Sequence, residues 1–235
     1  NWFVSSNFLT DGFPSFMDAY YDAGSFNDNF FTVMANYAKV MKKQRQNVIF
    51  VPIQALLSSD MTIDSSGNYK FTFKNFDRYI ETFLKNGSVK ALEGSFFYDK
   101  DWYINPPSGK NQWPQGELVT PIFVKSNGKV TTKWVYAESE EANRHFDQLI
   151  PALYSHLKSK GWSNIWLQHV CDEPLSEIQS KQISRMYKRI LKDMPGVRTL
   201  DAGSHQLTNF KENEMRIYCP QLDDYERNRN GYNTV

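Results

Sequence analysis

Cysteine is nearly missing from this chain: Cys171 and Cys219 are its two thiols in 235 residues. Two thiols build no disulfide framework, and their separation is not that of a metal knuckle, so both read as small buried hydrophobes. Net charge is missing too. Lys and Arg number 27 against 26 Asp and Glu, a formal charge of +1, which argues against a protein that grips a polyphosphate backbone. Nucleic acid is therefore not expected as a partner. Long apolar runs are absent as well: Val48 to Val51 is representative and falls far short of the ~20 residues of a membrane-spanning helix. No span is expected, and there is no internal repeat or low-complexity tract. The opening Asn1-Trp2-Phe3-Val4 has no positively charged n-region before an apolar h-region. A secreted or periplasmic location is expected, with any export signal removed or outside this chain.

What the chain does hold is a globular composition, 40% hydrophobic and 23% charged, with a mean hydropathy of -0.58. Its excess is in aromatics, with 6 Trp, 13 Tyr and 17 Phe making 15% of the residues. Core packing absorbs many of them. Others lie in segments dense with Gly, Pro, Asn and Asp, where a core is not expected and an exposed ring needs a reason.

Short apolar runs alternate with amphipathic helices. Phe30, Met34, Tyr37 and Met41 form one helical face within Asn29 to Arg45, followed by a strand-like run from Asn47 to Ile53. Phe76, Tyr79, Ile80, Phe83 and Leu84 form a second face, stopped by Asn86-Gly87, before an apolar run from Lys90 to Phe97. Glu138 to Lys160 is a third helix, with Pro151 as an expected kink and Gly161 as its stop. Asn164 to Val170 reads as a strand. Ser176 and Gln179 then form a capping box for a helix with the face Ile183, Met186, Tyr187, Ile190 and Leu191. Val197 to Leu200 and Met215 to Tyr218 complete the strands. Met61 to Phe73 and Val119 to Tyr136, the latter around Asn127-Gly128, read as inserted β-hairpins.

This rhythm predicts an α/β protein of βαβ units, (β/α)8 TIM-barrel-like, with the hairpins on the C-terminal face where barrel enzymes build their sites. The count reaches six strands, with Trp2 to Val4 the first, and a full barrel takes ~250 residues. Residues 1–235 are therefore expected to be a single catalytic-type barrel domain, incomplete, and a piece of a longer protein.

The stretch Trp166-Leu-Gln-His-Val-Cys-Asp-Glu-Pro174 carries the chemistry. An apolar strand ends in Gln168, His169, Asp172 and Glu173, and a capped helix follows, which puts these side chains at a catalytic rim. Pro174 biases Glu173 towards extended backbone, so the neighbouring acids splay and suit two tasks, one giving a proton and one staying ionised. Asp-Glu-Pro is equally a sensible helix start, with acids favoured by the dipole and Pro tolerated in the first turn.

Together with Asn75-Phe-Asp-Arg-Tyr-Ile80 opening a helix, this stretch resembles the catalytic domain of glycoside hydrolase family 123 and its domain-of-unknown-function relatives. The resemblance implies a β-N-acetylgalactosaminidase-like enzyme with a (β/α)8 barrel and no cofactor. It implies that the 2-acetamido oxygen of the substrate is the nucleophile, one of the exceptions to the two-carboxylate scheme. Glu173 would then be acid and later base, and Asp172 would hold the acetamido N–H and stabilise the oxazolinium-like intermediate.

Further substrate-binding candidates are Trp102 with Tyr103, on a loop with Asp99, Asp101, Pro106 and Pro107, and Trp2 and Tyr218 at strand ends. For each ring, packing on its own neighbours is the competing explanation. His169 belongs to the same set. Asp201 reads as a hydroxyl binder or, with Gly203, as a turn former. His169 and His205 with Asp172 lack the spacing of a metal site, so no metal is expected. The expected partner is a glycan. The alternatives are a glycosidase for another sugar and a catalytically silent glycan-binding barrel.

Overall fold

The structure is a computed structural model and describes residues 2–3, 21, 23, 26–101, 104, 116–203, 216–220, 222–227 and 229. The chain forms two compact units, residues 1–95 with 123–132 and residues 96–122 with 133–235.

In the first unit, β1 (Trp2–Phe3), β2 (Val48–Val51) and β5 (Ala91–Gly94) run parallel, with Trp2 level with Val48 and Val51 level with Gly94. Helix α1 (Asp28–Lys43) begins at Asn27, whose side chain accepts from the Phe30 N–H at 2.8 Å, and it buries Phe30, Phe31, Met34, Ala38 and Met41. Tyr37, on the expected face, is half-buried and shares a 2.6 Å hydrogen bond with the Tyr21 hydroxyl. The run expected as a strand to Ile53 stops at Val51, because Pro52 has no N–H for a ladder and opens the short helix α2 (Ile53–Ser58) instead.

Between α2 and the next helix lies the first expected hairpin, β3 (Met61–Ile63) paired antiparallel with β4 (Tyr69–Phe71). Asp64 ties its turn, accepting from the Ser66 and Asn68 N–H groups at 2.8 and 2.9 Å, while Gly67 takes φ +83°. Helix α3 (Lys74–Asn86) has no side-chain cap from Phe73; a carboxyl oxygen of Asp60, fifteen positions back, accepts from Asn75 N at 2.6 Å. Its face of Phe76, Tyr79, Ile80 and Phe83 is fully buried. Gly87 ends it as expected: a Cβ there would stand 2.8 Å from the Phe83 carbonyl oxygen.

The second expected hairpin is β6 (Val119–Ser126) with β7 (Lys129–Tyr136). Asn127 and Gly128 both take positive φ, +50° and +79°, as a two-residue hairpin turn of the mirror-image type requires. Residues 123–132 of this hairpin belong to the first unit, where Phe123 packs edge-on to Tyr69 and Phe71 and its carbonyl accepts from the Tyr69 hydroxyl.

In the second unit, β8 (Trp166–His169), β9 (Arg198–Gly203) and β10 (Ile217–Pro220) run parallel. Helix α4 (Glu140–Ser159) is capped by Ser139, which accepts from the Ala142 N–H, and continues through Pro151. Helix α5 (Glu177–Asp193) is capped by Ser176 and buries Ile183, Met186, Tyr187 and Ile190. A last helix, α6, spans Leu222–Arg227.

The fold is thus mixed α/β on parallel strands, as the alternation predicts. Eight parallel strands are not present among the described residues: three lie in each unit. A complete barrel is therefore not what this chain shows.

Candidate active site

The site builds on the carboxyl ends of β8 and β9 in the second unit. β8 is buried along its whole length. Gln168 is consumed by the protein, accepting from the Trp166 indole N–H at 3.0 Å and donating to the His169 carbonyl at 2.8 Å. His169 lies level with Leu200, so Asp201 is one step further along the neighbouring strand. The two meet with His169 Nε2 3.3 Å from an Asp201 carboxyl oxygen. The Phe96 ring stands edge-on to the imidazole at 4.4 Å.

Asp201 is 1% exposed and inside β9, so it does not form a turn. Its other carboxyl oxygen lies 3.1 Å from the Tyr187 hydroxyl, which also reaches the Leu200 carbonyl at 3.0 Å. Tyr187 has one hydrogen for these two acceptors. Burial, and secondarily the charge of Asp172, push the Asp201 carboxyl up, while the bonds from His169 and Tyr187 oppose this. A proton on Asp201 would satisfy all three groups, Asp201 donating to Tyr187 and Tyr187 to Leu200. The same burial raises the Tyr187 hydroxyl well above its ordinary range.

Beyond Val170 and Cys171 the two acids differ in exposure: Asp172 is exposed and Glu173 half-buried. Glu173 does not take the extended backbone expected before a proline. Its φ is +40°, in the left-handed region. Tertiary contacts override the local preference, since Pro174 is buried on one side and the Asp172 carbonyl is taken by the Lys100 ammonium on the other. Lys100 is itself buried, with its ammonium 3.9 Å from Cys171 Sγ. Burial raises the neighbouring Asp99 carboxyl, while the Lys100 N–H and the Lys100 charge pull it back down. Burial pushes the Cys171 thiol up to about 12, so it stays protonated and inert.

Tyr218 is half-buried and level with Asp201 on β10, on the same sheet face. Trp2 is the first residue of β1, level with the first residue of β2. This puts it at the amino end of the strands, not at the carboxyl-end rim expected of it. Trp102, Tyr103 and His205 lie outside the described residues. Sequence reasoning missed Lys100 and Tyr187, the first because a lysine among loop aspartates reads as solvated, the second because its helical spacing reads as core alone.

The family model described as the glycoside hydrolase 123 catalytic domain matches residues 13–231. The chain belongs to glycoside hydrolase family 123. No curated protein sequence matches it. Among solved structures, this family 123 chain is similar in fold to a family 123 glycoside hydrolase from Clostridium perfringens, described for glycolipid glycan hydrolysis. The TM-score is 0.61 at 15% identity, and the match covers 90% of this chain and 37% of that one. Among the described residues of the family 123 chain, no group of three or more His, Cys, Asp or Glu is placed to hold a metal ion. No described helix is long and apolar enough to cross a membrane.

Proposed function

We propose that this family 123 chain is a glycoside hydrolase that removes terminal N-acetylgalactosamine from glycans with retention, using the sugar's own 2-acetamido group as nucleophile. The observation that carries the proposal is the adjacency of an exposed and a half-buried acid, Asp172 and Glu173, at the carboxyl end of β8. Two acids on consecutive residues do not flank a sugar ring from opposite faces, as a two-carboxylate mechanism requires. A substrate that brings its own nucleophile removes that requirement. Family membership and the glycolipid-glycan relative support a glycan substrate.

In this mechanism the acetamido carbonyl oxygen bonds to the anomeric carbon as the glycosidic C–O bond breaks, and Glu173 gives its proton to the leaving oxygen. Asp172 accepts a hydrogen bond from the acetamido N–H and balances the positive charge of the oxazolinium. Water then attacks the same carbon, Glu173 takes its proton, and the acetamido group is restored.

Glu173→Gln is expected to lower turnover on an N-acetylgalactosaminide with a poor leaving group by at least ~10², the range for losing a general acid, with folding intact. Asp172→Asn is expected to weaken both hydrolysis and binding of N-acetylgalactosamine-thiazoline, a stable mimic of the cyclic intermediate. A covalent adduct of a 2-fluoro glycoside on any carboxylate of the chain, with no thiazoline binding, would overturn the mechanism.

A further inference from the structure

We infer that Lys100 is a positioning residue, whose buried ammonium holds the peptide group joining Asp172 to Glu173 and thereby aims the Glu173 carboxyl. The inference rests on the reading of Asp172 and Glu173 as the reacting pair.

The backbone that carries Lys100 is fastened beside the end of β8. The Phe97 and Tyr98 N–H groups both donate to the Val170 carbonyl, at 2.9 and 2.8 Å. Asp99 and Val119 exchange two backbone hydrogen bonds of 2.8 Å, which fixes the next residue. From this seat the Lys100 side chain, 7% exposed, reaches back to donate to the Asp172 carbonyl oxygen.

That carbonyl belongs to the peptide plane whose nitrogen is the Glu173 nitrogen. Glu173 φ is the rotation measured from this plane, so a donor that fixes the plane fixes the origin from which the side chain is aimed. The observed φ of +40° is one that a non-glycine residue avoids by itself, and the following proline draws the residue towards extended backbone. One donor therefore separates two directions for the same carboxyl. Packing alone does not ask for an ammonium here, because a buried lysine is tolerated only where its charge and donors are met. Among the described residues, the groups around it include Asp99 on its own segment and the Cys171 thiol on the segment after β8, and the Asp172 charge acts on both of these.

The test uses the full-length protein and 4-nitrophenyl N-acetyl-β-galactosaminide, with thermal melting of every variant. Lys100→Met keeps the length of the side chain and loses donor and charge; it is expected to lower kcat at least tenfold with KM within about threefold, and to melt close to the parent. Lys100→Ala is expected to recover turnover saturably with added propylamine, which replaces the missing ammonium, and not with propanol. Wild-type kcat in Lys100→Met, alongside an inactive Glu173→Gln, would overturn the inference and leave the proposed function standing. A fully active Glu173→Gln would overturn both. If Lys100→Met and Lys100→Ala lose their melting transitions and propylamine restores nothing, Lys100 is a determinant of folding only, and the inference falls.

Discussion

Glu173 is held in a conformation that costs an L-residue on the order of 1–3 kcal/mol. Such strain persists where surrounding contacts over-determine it, here the Lys100 ammonium and the buried Pro174. Glycine has no Cβ to clash in this region, so Glu173→Gly is expected to raise the unfolding free energy by about 0.5–1 kcal/mol while abolishing hydrolysis. Denaturant melts of Glu173→Gly and Glu173→Gln side by side check this; equal or lower stability of the glycine variant would mean the site stores no backbone strain. The position of the two acids between a strand end and a capped helix was legible in the sequence, because that pattern is local. The conformation of Glu173 was not, since it depends on a residue seventy-three positions earlier. Asp201 shows the same limit: Asp and Gly two positions apart suggest a turn, and only the pairing of β8 with β9 makes Asp201 the partner of His169.

At the scale of elements, the helices were the most legible part, since a buried stripe writes its period into the sequence. Phe76, Tyr79, Ile80 and Phe83 are buried as their spacing requires. Short α2 was hidden because its apolar residues continue those of β2 without a break, and Pro52 alone marks the change. Caps were partly legible. Ser176 is close to its sequence signature, but Asp60 reaches the start of α3 through the β3–β4 hairpin and leaves no local mark. For α4 the cap is local: the Ser139 hydroxyl accepts from Ala142 N at 3.2 Å and donates to the Tyr136 carbonyl at 2.8 Å. Ser139→Ala is expected to destabilise the protein by about 1 kcal/mol, read as a lower midpoint in urea at unchanged slope. Ser139→Asp, which keeps an acceptor and complements the helix dipole, is expected to recover most of that loss.

For the whole molecule, the pH dependence of stability turns on His145, buried on α4. Burial, and then the charge of Arg189, lowers its pKa from 6.5 to about 3. Between those values the unfolded chain takes up a proton that the folded chain refuses, so stability falls on acidification by up to about 1.4 kcal/mol per pH unit. Asp99 and Asp201 act in the opposite sense, because burial raises them above 3.8 and the folded state takes their protons first. Melting temperatures measured from pH 7 to 3 are expected to drop from about pH 6.5 downward, and His145→Gln is expected to flatten that slope; an unchanged slope would remove His145 as its cause. Closure was the least legible feature at this scale: the six parallel strands could be counted from the sequence, but periodicity reports each strand singly and not which strands pair. The chain also passes from one unit to the other three times, as residues 123–132 belong with the amino-terminal unit although they follow twenty-seven residues of the second. During synthesis the first unit is consequently incomplete until Thr132 has left the ribosome, and no single cleavage releases either unit whole. A fragment ending at Ser95 would lack Phe123, leaving the Tyr69 and Phe71 rings without the neighbour that covers them.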